Sequence, residues 1–288
     1  MSFLEYYLQI LIFTAALPLG LGLAVYFLYR TFCSLVGYGR GKPILWLLHV
    51  ILVPMREFAH LVACVVTFHR VHDFCLLNPH DPEGEIGFVE HSYNRKNPVA
   101  VLGNFLFSVL PAALGLALVA LVVAVCFGGV FGELSASVGA LVESEAGLGE
   151  YVKLAFRFFP SMFKGEGSLG AKIVGSVLLT VISLGVFVSL DDLVGGFSGM
   201  LMWAAVLFAF AGITSLLDAR TRRLTVTLLR TFATGVAALY LVVLIFAAVA
   251  IALGFAVFLY RTFFGEGAPA RGGLPALVES DPEEEWED

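Results

Sequence analysis

Six stretches of this 288-residue chain are long and apolar enough to cross a bilayer: 8–29, 44–68, 99–127, 171–190, 193–217 and 232–260. A helical crossing takes about 20 mostly apolar residues. Within lipid each backbone N–H and C=O must find its partner inside the protein, so such stretches are helices rather than isolated strands. With 59% hydrophobic and 14% charged residues the chain cannot cover itself with polar surface. That excludes a soluble enzyme, a nucleic-acid binder and a secreted disulfide scaffold. Cys33, Cys64, Cys75 and Cys126 are scattered and show no CxxC spacing. The expectation is an all-α polytopic membrane protein of about six transmembrane helices, with 1–264 forming a single transmembrane domain. Much of the net charge of −6 falls in the tail 265–288, which ends DPEEEWED and is expected to be disordered. The first span lacks a basic flank before it, so it reads as a retained helix rather than a cleaved signal peptide.

The connections carry the next layer of information. Residues 70–95 follow the second span, and within them 72–77 and 86–93 are rich in β-formers on either side of NPHDPEGE. This predicts a β-hairpin with a long turn. Tyr151–Phe163 mixes aromatics with Lys153 and Arg157 one turn apart, as an interfacial helix does. Eleven basic residues fall between spans one and two, three and four, and five and six, against five on the other side. The positive-inside rule then puts those three connections in the cytoplasm and both termini outside, in what reads as a cell-membrane protein.

Span two holds His49, Arg56, Glu57 and His60. Ionisable side chains within a span are costly and mark functional sites. On a helix Arg56 and His60 share a face one turn apart, with Glu57 beside them, while His49 lies about 16 Å down the axis from His60. The REFAH sequence at 56–60 departs from the zincin motif HExxH only at its first position. In that motif two histidines ligate zinc and the glutamate activates a water. Set within a membrane span, it resembles the site-2-protease family of intramembrane metalloproteases. A hairpin after the motif helix, LGNFLFSVLP at 102–111 and SLDDLVGG at 189–196 are similar to that family's layout in the same order. The resemblance implies Glu57 as general base, His60 as a zinc ligand, and Asp191, or its neighbour Asp192, as another. It also implies contacts to a substrate or partner around Arg56, Asn104 and His91.

The first ligand position is Arg56, whose guanidinium has no lone pair to give a metal. Three readings follow. In the first, Arg56 replaces the metal among the carboxylates, and the chain is a pseudoprotease that binds a transmembrane helix or an extended peptide without cleaving it. In the second, Cys64 stands in as a ligand, one turn beyond His60, and a zinc-dependent peptidase persists. His72, Cys75 and His91 of the hairpin are further stand-ins. In the third, Arg56, Glu57, His60 and Asp191 line a channel or transport path. Zinc is thus the expected cofactor of an active enzyme, and none is expected otherwise. The lipid bilayer is the first partner, and the oligomeric state is not encoded in any feature. Asn104 and Ser108, at i and i+4, also read as interhelical hydrogen-bonding residues, and Gly195 with Gly199 as a close helix-packing pair.

Overall fold

Apolar length dictates the elements. The computed structural model describes residues 2–37, 42–78, 86–144 and 146–264. The acidic tail 265–288, His80, Arg40 and most of the hairpin's long turn lie outside the described residues. Helix α1 (Phe3–Leu11) runs through a π-helical turn (Ile12–Ala16) into α2 (Leu17–Val36). The widened turn comes just before Pro18, whose ring would otherwise meet the carbonyl four residues back. The rest follows as α3 (Lys42–Val66), β1 (Arg70–Cys75), β2 (Phe88–Ser92), α4 (Pro98–Phe127), α5 (Val130–Glu143), α6 (Leu148–Lys164), α7 (Leu169–Ser183), α8 (Leu190–Gly195), α9 (Phe197–Leu216) and α10 (Ala219–Phe264). The protein is an all-α polytopic membrane protein whose small sheet is one antiparallel hairpin.

Among the described residues five helical stretches are long and apolar enough to cross: Phe3–Val36, Pro43–Val66, Pro98–Phe127, Phe197–Leu216 and Arg220–Phe263. The expected fourth span differs. Helix α7 stops after 15 residues at Ser183, and after a turn at 184–185 residues 186–188 continue without regular secondary structure, with Val186 and Val188 fully buried. That segment is wedged between α2 and α4, where Gly22 and Gly115 leave room. A methyl group added at either would sit 2.8 Å from Val188 or Val186 respectively. Ser189 then caps α8 through the Asp192 N–H, at 3.0 Å.

Helix α10 packs against α2 along its length, with Tyr240 near Gly22 and Gly254 near Phe32 and Val36. Both partners advance in the same direction, so the two helices are parallel and their outer ends, Phe3 and Phe264, lie at opposite ends of the bundle. These described ends do not share one face, whereas the charge pattern leads to the expectation that the two termini would. The physical reason is that α7 covers only part of a crossing, and α9 completes it. At about 1.5 Å per residue the 46 residues of α10 extend about 69 Å, well beyond a complete bilayer of about 45 Å.

The expected interfacial helix is α6, which buries Tyr151, Ala155, Phe158 and Met162 on one face. It packs with α5, an element the apolar pattern did not reveal, and its C-terminal turn is tied down by Lys172, whose Nζ donates to the carbonyls of Phe163 and Gly165 at 3.0 and 2.7 Å.

Candidate functional site

The chain turns back on itself at the end of α3. Phe68 adopts a left-handed conformation (φ 60°), and the His69 N–H reaches the Cys64 carbonyl at 2.9 Å. This six-residue closure is the Schellman geometry that ends helices, with a phenylalanine where glycine is usual. In consequence the hairpin folds back along α3 instead of projecting away. β1 and β2 pair from Arg70↔Ser92 to Cys75↔Phe88, with a bulge at His72. Gly87, just before β2, lies so near α3 that a methyl group there would be 2.6 Å from Val53 and 3.1 Å from Glu57. The hairpin thus covers the polar part of α3 with its inner side, while most of β1 stays exposed.

Beneath it lies a chain of four charged or titratable side chains. His60 Nδ1 faces Glu57 Oε2 at 3.3 Å, and His60 Nε2 faces Asp192 Oδ1 at 3.8 Å. Arg56 Nη2 donates to both carboxylate oxygens of Asp192, at 3.2 and 3.3 Å. Glu57 and His60 are 5% and 3% exposed, while the Arg56 side chain is 37% exposed, so the cluster opens toward its surroundings on the arginine side. The formal charges sum to zero when the imidazole carries a proton. Removing any one member would strand a charge at low dielectric.

Asp192 is the carboxylate turned toward α3, whereas Asp191 is exposed. The local reason is the Ser189 cap, which fixes the first turn of α8. The Ser108 hydroxyl adds to it by lying against the Asp192 and Asn104 carbonyls. Asn104 donates to Ser198 of α9 at 3.2 Å, an interhelical bond. At the start of α9 the closely packed glycines are Gly196 and Gly199, against Ser108 and Phe105 of α4, while Gly195 faces open space. His49 is separate from the cluster, paired through Nε2 with the Tyr29 hydroxyl at 3.0 Å.

Cys64 does not join His60. It belongs with His69 and His91, the three ligand atoms lying within 4.8 Å of one another. His72 turns instead to Ser92, at 2.8 Å. Burial holds the His91 imidazole below the ordinary histidine range, opposed by its hydrogen bond with the Val89 backbone. A column of stacked rings joins the two groups: Tyr93–His69–His91–Phe107–His60, with successive centroids 5.1, 5.1, 4.5 and 4.0 Å apart. From the sequence His69 reads as a membrane-edge histidine that is solvated or hydrogen-bonded before it reads as a ligand, and only the reversal at Phe68 brings it within range of Cys64.

The arrangement around Arg56 does not suit a catalytic zinc. His60 Nε2 and Asp192 offer two ligands where three are usual, and the guanidinium is already on both oxygens of one of them. A divalent ion would have to displace that cation or sit beside it. A comparison with protein-family models, with curated proteins and with solved structures gives no match to this chain.

Proposed function

We propose that this chain is a multi-pass membrane protein with a site-2-protease-like layout in which Arg56 stands where the metal would act. It is a binding protein rather than a hydrolase. The observation that carries this reading is the Arg56 guanidinium held on both oxygens of Asp192. A charge-assisted pair of this kind neutralises the carboxylate as a metal ion would, yet it offers no site for an activated water.

The partner is a transmembrane helix or an extended peptide. An added strand would lie along an outer edge of the two-stranded hairpin, where main-chain groups lack a neighbouring strand. Phe68 and Phe74, both exposed, border that edge and suit an apolar partner. We place the protein in the cell membrane. Its cytoplasmic face is not fixed by charge, because a parallel α10 moves Arg220, Arg222, Arg223 and Arg230, four of the eleven residues behind the orientation bias, to the hairpin end.

A rival reading, a zinc peptidase with altered ligands, draws on His60 Nε2, which is buried without a hydrogen-bond partner among the described residues. Two variants separate the two. If Arg56 replaces the metal, His60→Ala leaves the zinc content of the purified protein unchanged, and Arg56→His, which restores the missing imidazole, adds an equivalent that depends on His60. Loss of native zinc in His60→Ala, together with cleavage of a membrane-embedded reporter that Glu57→Gln abolishes, would establish the peptidase.

A further inference from the structure

The group above the arginine cluster has features that the proposed function does not use. His69 Nε2 lies 2.8 Å from the Ala100 carbonyl. A carbonyl only accepts, so Nε2 carries the proton and Nδ1 presents a lone pair. That Nδ1 is buried and has no hydrogen-bond partner among the described residues. A buried lone pair left unmatched is costly and points to something that fills it. Cys64, fully buried, and His91 are the groups beside it.

We propose that Cys64, His69 and His91 form a structural metal centre for a zinc-class divalent ion, which clasps the hairpin to the end of α3. One thiolate and two neutral imidazoles are the ligand types that such an ion selects. The three ligand atoms lie within 4.8 Å of one another, so an ion centred among them lies within roughly 2.8 Å of each; the thiolate must close by about half an ångström, the imidazole nitrogens by about three quarters, and the near-parallel rings must tilt toward the ion. The Cys64 thiol gives up its proton to solvent on binding.

The outer shell is already in place. His69 is oriented by the Ala100 carbonyl at the start of α4, and His91 by the Val89 backbone. A histidine whose second nitrogen is held by a carbonyl is the usual supporting arrangement at a metal. The three ligands come from the last turn of α3, the reversal after it, and β2. Bound metal therefore ties together elements that only the left-handed Phe68 brings into range. Water completes the fourth position. This centre is independent of the arginine cluster, and His60 is outside it.

The test uses the full chain in detergent, freed of any polyhistidine tag, loaded with zinc and dialysed. One zinc per chain is expected, retained in His60→Ala and lost in Cys64→Ser and His91→Ala. The cobalt-substituted native protein, which requires no variant, is expected to show a thiolate-to-metal charge-transfer band. Chelation is expected to speed hydrogen exchange across Arg70–Ser92. A native protein without zinc overturns the proposal and leaves the binding-protein reading intact. Zinc kept by Cys64→Ser but lost from His60→Ala overturns both. A cobalt complex without the thiolate band overturns the proposal whatever the variants do.

Discussion

At the scale of single residues the distinguishing feature is an arginine held between a carboxylate and a more open side of the bundle. Arg56 and Asp192 lie 136 positions apart in the chain and meet at hydrogen-bond distance. Replacing one alone, as in Arg56→Met, leaves the Asp192 carboxylate, 10% exposed, without its cation. That should cost about 1–3 kcal/mol of stability, less than for a fully buried pair because the arginine side is open. In Arg56→Met with Asp192→Asn both charges go, and much of the loss should return, with a coupling energy of about 1–3 kcal/mol in equilibrium unfolding from mixed micelles. Additive losses would mean that the pair is not coupled. The sequence made Arg56, Glu57 and His60 legible, since helical spacing fixes their common face. It could not choose between adjacent aspartates, because that choice depends on how Ser189 caps the first turn of α8. His69 reads as a solvated or hydrogen-bonded membrane-edge histidine for a different reason: its partners come from a reversal that no propensity announces at a phenylalanine.

Among the elements, the non-helical segment 186–188 is what brings α8 to α3. Helices α2 and α4 admit it only where they carry glycine, and Val186 and Val188 fill the space a side chain would take. Gly115→Leu should therefore displace the segment and pull Asp192 away from Arg56. It is expected to destabilise the fold by about 1–3 kcal/mol, the range for overpacking, and to accelerate exchange in α8 before α4 is affected. Unchanged exchange in α8 would show that the segment does not set its position. Apolar length announced α3, α4, α9 and α10 plainly. It misjudged the fourth span because Leu184–Val188 is as apolar as a helix, and only the β-branched valines after Gly185 hint at non-helical chain. Helix α5 escaped notice because its stretch is short and mixes Ser, Gly and Glu with its apolar residues.

For the molecule as a whole, the parallel course of α2 and α10 means an odd number of crossings. Reporter domains fused ahead of Ser2 and after Phe264 should accordingly report from opposite compartments, and matching reports would refute the parallel arrangement. The interrupted crossing also has a bearing on biogenesis. A 15-residue helix followed by non-helical chain is a poor candidate for release into lipid by itself, because the peptide groups of 187–188 need protein around them. The walls of their slot, α2 and α4, are both made earlier in synthesis than α7. The order of elements along the chain is thus also a workable order of insertion: the receiving cleft exists before the segment that must enter it leaves the ribosome.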